Sequence, residues 1–319
     1  MSYPELRTRW DETTTAFALD SLMRGRPTSP HGTHDGRVDL RGLTIAVPKR
    51  SKVNETVDRI SKVYEFVGLD IHDVDLSDAQ LPEWRITRTS FANCVFDSAS
   101  LPSLRTYSAR FHQCSFKASK LREASLGASD GKKHEGGGVY TQCDFTGADL
   151  RDVNTDRGRF EQCTFTDSKW SNTRTLTAVF EDCDFREAAI SEVFFDGRRF
   201  DDKGPAGLGE NKLAGCNFSS AHLDSTSFLA IDFRNLIPPN DNQFVLVPDY
   251  PSRVAIAQDR LKANGSKDAS WLQMRYDMEF KASRYLPKDA VGLLDFGGLT
   301  ASDAGLLAAV FEIEPPVKD

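Results

Sequence analysis

Large apolar side chains recur at every fifth position through the middle of this chain. From Phe66 the series runs Ile71, Leu76, Leu81, Ile86, Phe91, Phe96, Leu101, Thr106, Phe111, Phe116, Leu121 and Leu126. It lapses, then resumes at Tyr140, Phe145, Leu150, Thr155, Phe160, Phe165, Trp170, Thr175, Phe180, Phe185, Ile190 and Phe195. After a second lapse, Leu213, Phe218, Leu223, Phe228 and Phe233 complete it. Only three of these positions, Thr106, Thr155 and Thr175, are not large and apolar. Two residues before each lies a second, mostly small set that includes Ala79, Cys94, Ala109, Cys114, Ala148, Cys163, Ala188 and Cys216. A period of five fits neither the 3.6 of a helix nor the 2.0 of an ordinary strand. Such fixed-period self-similarity marks a solenoid, with both sets pointing to its axis and the other three residues facing water.

The cysteines give an independent count. Cys94 and Cys114 are 20 residues apart, as are Cys143 and Cys163, and Cys163 and Cys183. The other gaps, Cys114 to Cys143 and Cys183 to Cys216, are 29 and 33, or 20 plus 9 and 20 plus 13. If the lapses are loops of those lengths, all six cysteines stack on one side of a twenty-residue coil. Naming that side the second, the first carries Ile71, Phe91, Phe111, Tyr140, Phe160, Phe180, Leu213 and Phe233. Both loops, 127–139 and 196–212, then leave from the corner between sides four and one.

The segments CDFTGADL (143–150), CDFREAAI (183–190) and CNFSSAHL (216–223) resemble the pentapeptide-repeat consensus, a central Phe or Leu preceded two positions earlier by Ala or Cys. The resemblance covers about 64–236. It implies a mainly β fold, a right-handed four-sided parallel β-helix of about seven to eight coils with four pentapeptides per coil. Phe91, Phe96, Phe111, Phe116, Phe145, Phe160, Phe165, Phe180, Phe185 and Phe218 are its expected core, with Cys94, Cys114, Cys143, Cys163, Cys183 and Cys216. Exposed coil ends invite edge pairing and must be capped.

Residues 1–63 supply one expected cap. Residues 5–24 read as an amphipathic helix with Leu6, Trp10, Phe17 and Leu22. Val38, Leu40, Leu43 and Ile45 suggest a partial first coil, and 53–63 another short helix. Residues 237–319 change character. A helix over 253–263 with Gly265 as its stop precedes a second over 270–285, with Trp271, Met274, Met278, Ala282 and Tyr285 on one stripe. This helical hairpin is similar to ones that follow the repeats in bacterial pentapeptide proteins, which implies pairing of two copies there as a homodimer.

Composition narrows the function. Charged residues make up 27% of 319 and the net charge is −7, so no clustered cations point to direct nucleic-acid binding. No run approaches a membrane span; the most apolar stretch, 290–311, is broken by Asp295 and Asp303. The start, MSYPELRTRWDETTT, lacks the form of a secretory signal, and a cytoplasmic protein is expected. The cysteines lack the short ligand spacing of a zinc site and are accounted for as reduced core residues. His31, His34 and Asp35 lie in the Gly- and Pro-containing SPHGTHDG, read as a solvated loop. His72, His112 and His222 fall at outward positions. No nucleophile–base pair stands at usable spacing. The expectation is therefore a binding protein with no catalytic residue, metal or cofactor.

Its interacting residues are sought in the two loops and on an acidic corner. The first loop offers Lys132, Lys133, His134 and Glu135; the second, Arg198, Arg199, Asp201 and Asp202. Glu181, Asp182, Asp184 and Glu187 form the corner, interrupted by Arg186. The family includes members that bind type II topoisomerases, and those protecting gyrase from quinolones carry two loops that break the rod. The resemblance implies a DNA-mimicking rod that binds DNA gyrase and modulates or protects it. The alternative is a passive protein–protein scaffold engaged through the loops or the C-terminal helices.

Overall fold

The computed structural model describes residues 3–45, 64–131, 136–201, 204–209 and 212–316. Between 64 and 237 the chain winds as a parallel β-solenoid with four ladders per turn. Ladder one is a six-stranded parallel sheet in the register Ile71, Phe91, Phe111, Tyr140, Phe160, Phe180. Ladder two is a row of single bridges joining Asp75, Val95, Ser115, Asp144, Thr164, Asp184, Asn217 and Ile237. Ladder three runs from Gln80 through Lys120 and Asp149 to Lys169, Ala189 and His222. Ladder four begins Phe66, Ile86, Thr106 and ends Phe195, Phe228. The jumps Ser115 to Asp144 and Asp184 to Asn217 confirm the excess lengths of 9 and 13.

Each pentapeptide makes a three-residue strand and a sharp corner. In Ser90–Ala92 the middle Phe91 is buried; Asn93 then turns the chain at φ 53° and Cys94 points back inside. That left-handed conformation recurs at this position along the rod, including Asp73, Ser98, Gln113, Asp152, Gln162, Asn172 and Asp182. Asp and Asn tolerate it because they can bond their own backbone, and the other occupants, Arg88, Gln113, Ala118 and Glu123 among them, are unbranched at Cβ, where branching would clash. Gly147 and Gly215 occupy the same position at no steric cost. The polar spacers are therefore selected by the corner as well as by water.

Inside, the rings form two columns. Phe96, Phe116, Phe145, Phe165, Phe185 and Phe218 stack face to face with centroids 4.6–5.0 Å apart. Phe91, Phe111, Tyr140, Phe160 and Phe180 stack beside them at 4.7–5.2 Å. The columns meet edge to face, as at Phe111–Phe116 and Phe160–Phe165. Each such pair adds about 0.5–1.5 kcal/mol beyond its area burial. The six thiols form one buried row, each donating to the carbonyl of a first-ladder residue one turn back: Cys114 to Phe91, Cys143 to Phe111, Cys163 to Tyr140. Burial pushes the Cys143 and Cys183 thiols well up, so the thiolate needed for reactivity is suppressed.

The N-terminal end is closed differently from the expected single helix. Helix α1 spans Tyr3–Thr8 and α2 Glu12–Met23, separated because Asp11 caps α2 through the Thr14 amide. Leu19 and Leu22 are buried against the stack and Leu6 is buried beside it, but Phe17 faces solvent and is 54% exposed. The buried stripe of α2 therefore runs through Ala18, Leu19 and Leu22 and excludes Phe17. Arg37–Asp39 pairs in parallel with Val74–Asp75, and Thr44 bridges Gln80, so 37–45 lies as a partial rung ahead of the first turn. The expected helix at 53–63 lies outside the described residues. SPHGTHDG is largely exposed, as expected, but it is paired and anchored and not an irregular loop. Thr33–His34 pairs antiparallel with Arg37–Asp39, His34 Nδ1 lies 3.0 Å from Asp75 Oδ2, and His31 meets Trp10 edge-on at 4.7 Å. Behind it Asp39 receives Arg9 and Arg41 together. Burial raises that carboxyl, but these hydrogen bonds outweigh it and leave Asp39 well below the usual carboxylate range.

Beyond the rod the chain builds a second core rather than a simple hairpin. Helices α3 (Tyr250–Asn264), α4 (Lys267–Arg275), α5 (Asp277–Ser283) and α6 (Ala301–Phe311) pack with an antiparallel strand pair, Phe244–Val247 on Gly292–Asp295. Gly265 ends α3 at φ 64°, as the sequence suggests. The helix expected over 270–285 is broken at Tyr276, whose ring is buried. Its expected stripe is split: Trp271, Met274 and Met278 are exposed, whereas Ala282 is buried and Tyr285 packs partly against the core that Ala269, Leu272, Tyr276 and Phe280 fill. The unit covers the end of ladders four and one. Leu229 and Ala230 join its core, Val291 exchanges hydrogen bonds with Phe233 and Asp232, and Ser227 donates to Glu279.

Candidate functional site

Ser125–Ala128, on ladder four, precedes the first loop, and Val139–Thr141, on ladder one, follows it. Phe194–Asp196 on ladder four likewise precedes the second, and the chain rejoins ladder one at Leu213. Both excursions therefore leave and return at one corner, with intact ladders on either side. The first is pressed against the rod. A Cβ on Gly127 would lie 2.4 Å from the Asp156 and Thr155 carbonyls, and one on Gly137 2.3 Å from the Arg157 carbonyl. Only glycine permits that approach. Ser108 Oγ donates to the Gly136 carbonyl and accepts from the Asp130 amide, while Arg88 lies 3.4 Å from the Asp130 carboxylate. Lys132, Lys133, His134 and Glu135 lie outside the described residues.

The second excursion opens with an antiparallel hairpin, Arg198–Asp201 on Gly204–Leu208. Arg198 is anchored: its Nε donates at 2.8 Å to Asp196, a carboxylate with no exposed side-chain surface. Lys212 ties the base, donating to the Leu176 and Arg198 carbonyls at 2.9 Å. Arg199 is exposed opposite Gly207. Asp201 lies in the hairpin backbone and Asp202 outside the described residues.

Glu181, Asp182 and Asp184 lie where ladder one turns into ladder two, with Glu187 at the next corner toward ladder three, and most carry a partner. Arg159 reaches Glu181 at 3.2 Å, Arg186 clasps Asp184 at 2.6 Å, and His222 lies 3.7 Å from Glu187. Burial raises the Asp184 carboxyl, and Arg186 more than reverses it. Asp182 sits over Gly215, where a Cβ would come within 1.9 Å of its oxygen. Exposed pairs contribute only about 0–1 kcal/mol each, yet they reduce the local negative field.

Sorting outward residues by ladder shows an asymmetry that reading along the chain hides. Ladder two and its corners carry Asp97, Asp144, Asp167, Asp184 and Glu187 against Lys117 and Arg186. Ladder four and its trailing corner, opposite, carry Arg85, Arg88, Arg105, Arg157 and Arg174 against Glu65, Asp156 and Asp196, while the corner leading into it carries Glu83, Glu123, Asp152 and Glu192. The signal was present in the twenty-residue register, had each column been counted separately. Among the described residues no group of three His, Cys, Asp or Glu side chains could hold a metal ion, and no helix is long and apolar enough to cross a membrane.

A family model described as pentapeptide repeats, in eight copies, matches residues 143–174. No curated protein matches the chain. Among solved structures, it is similar to HetL, a pentapeptide repeat protein involved in heterocyst differentiation regulation from Nostoc sp. strain PCC 7120. That match has 12% identity, covers 63% of this chain and 91% of that one, and has a TM-score of 0.24. It is similar also to QnrB1, a plasmid-mediated fluoroquinolone resistance protein, with 16% identity, 52% and 88% coverage and a TM-score of 0.25. Rfr23, from the cyanobacterium Cyanothece 51142, matches with 14% identity, 54% and 90% coverage and a TM-score of 0.14.

Proposed function

We propose that this pentapeptide-repeat protein is a non-enzymatic binding protein whose partner is another protein. The observation that supports this best is the common corner at which two folded excursions leave an otherwise continuous stack. The inside of the rod is filled by stacked rings and thiols, leaving its chemistry to surfaces, and surface loops on a rigid scaffold are where contacts are made. The more specific reading is a type II topoisomerase, DNA gyrase, bound by a rod that imitates duplex DNA and modulates the enzyme or protects it from inhibitors. On this reading the solenoid is right-handed, of about seven to eight coils over 64–236, between an N-terminal cap (1–63) and a C-terminal helical region (237–319). The protein is cytoplasmic and contacts its partner through 127–139 and 196–212.

A scaffold for a different protein partner is favoured by two observations. The carboxylates of the acidic edge are largely answered by Arg159 and Arg186, whereas DNA mimicry needs them free. Trp271, Met274 and Met278 also present an apolar stripe on α4 and α5, which suits a second protein, a second copy of this chain included. Titration into a gyrase supercoiling reaction, with and without ciprofloxacin, separates the readings. Topoisomerase binding predicts altered supercoiling or cleavage that disappears when both excursions are deleted. No change at micromolar protein overturns it and leaves the scaffold.

A further inference from the structure

We infer that ladder four of the rod is a docking surface for a short acidic polypeptide segment. It lies across the rod from the carboxylates on which topoisomerase mimicry depends, and stands independently of that reading.

Arg85 and Arg105 are Cα partners in adjacent parallel strands, so their side chains leave the same side about 4.8 Å apart. Like charges placed directly opposite on a sheet are destabilising. Nothing among the described residues relieves this pair, since no carboxylate bridges to Arg85, Arg105 or the neighbouring Arg110 and Arg157. Arg105 is held by backbone alone, its Nη1 donating to the Glu123 and Leu104 carbonyls. Its remaining N–H groups are left for a ligand.

Several of the acids nearest this side are already engaged. Asp156 pairs with Arg174 at 2.8 Å, Asp196 is buried under Arg198, and Asp130 takes Arg88. Glu65, in the first described rung, and Glu83 and Glu123, at the corner leading into ladder four, form no ion pair with this side among the described residues. Tyr107 and the exposed Val67 lie on the same side, one residue beyond the strand centres. The patch thus combines planar guanidinium forks, matched to carboxylates in bidentate geometry, with apolar contact area.

Charge complementarity selects an acidic ligand, and the rest of the molecule selects a polypeptide over a nucleic acid. The chain is net −7, and carboxylates line the opposing side and the corner leading into this one, at Glu83, Glu123, Asp152 and Glu192. A phosphate backbone overrunning the patch meets that field within a Debye length of about 8–10 Å. A short segment with a few Asp or Glu residues fits inside it.

The test is fluorescence anisotropy of the full chain with a labelled decaglutamate peptide, at low and near-physiological salt. Arg85→Glu with Arg105→Glu should weaken binding at least about tenfold, while Arg85→Lys with Arg105→Lys retains part of it. Lys117→Glu with Lys120→Glu makes the same charge change on ladders two and three and should shift binding less than about twofold. Thermal melting of each variant separates lost contact from lost fold. Equal weakening by both Glu pairs overturns the proposal, because net charge alone then governs. So does tighter binding of an oligothymidine of equal length, or salt-sensitive self-association that excludes the peptide.

Discussion

The rod and the C-terminal unit solve the same problem, burying apolar surface, by opposite means. In the rod an inward residue meets its own kind one turn above and below, as Phe165 meets Phe145 and Phe185, each 5.0 Å away. In the C-terminal unit Phe280 meets Phe311, Tyr276 and residues from several helices at mixed angles. The first arrangement is a sum of nearest-neighbour contacts; the second is one cooperative core. Where contacts are local and periodic, a residue's place follows from its number. Where they are not, it depends on which elements happen to meet.

That contrast breaks most clearly at Phe165. Phe165→Asp places a carboxylate between two rings with no partner and should cost about 5 kcal/mol or more, removing the rod's amide protection in hydrogen exchange. Survival of that protection would mean the stack is not the source of stability. Phe280→Ala should cost about 3–5 kcal/mol, but its loss of protection should fall on α3–α6 and spare the rungs around Cys163. Uniform loss would show that the two units unfold as one.

Asp39→Asn tests the cap and should cost about 2 kcal/mol at neutral pH by removing charge-assisted hydrogen bonds. Its folded carboxyl is depressed below the ordinary 3.8. The stabilisation is therefore fully present above that value and lost as pH falls through the lower folded one. The variant should show a flatter acid limb in pH-dependent melting than the natural chain. Ser98, at φ 56°, probes the corners: Ser98→Val should lose about 1–2 kcal/mol in denaturant unfolding, and Ser98→Gly should lose nothing or gain slightly. Least affected should be Met274→Ser, which touches a side chain 70% exposed and should stay within about 0.5 kcal/mol. A larger loss would return the stripe to the core.

The same contrast governs what could be read beforehand. The twenty-residue rule placed all six cysteines on one row, where the structure adds a hydrogen bond from each thiol to the carbonyl one turn back. Tyr140 fell on the Phe111 column across a loop. For these residues backbone geometry alone sets direction. It did not place Phe17, Met274 or Met278, because a helix with two apolar stripes does not state which one its neighbours will cover. The break at Tyr276 and the Thr33–Asp39 hairpin depend on distant partners, the Asp295 carbonyl and Asp75. At the candidate surfaces, Arg198 read as available, yet a buried aspartate two residues earlier holds it. The basic side went unseen because Arg85, Arg105 and Arg157 are scattered in sequence and gather only in register.

The shared corner also defines a splice port. Ser115 meets Asp144 and Asp184 meets Asn217 as if nothing lay between, so the stack does not register how long the chain is away. Closing a longer excursion costs little, about 0.6 kcal/mol for each doubling of length. Foreign sequence grafted at either departure would stand off the same edge of the rod at a height fixed by the rung that launches it. Two grafts would then sit at a set separation, like marks on a ruler.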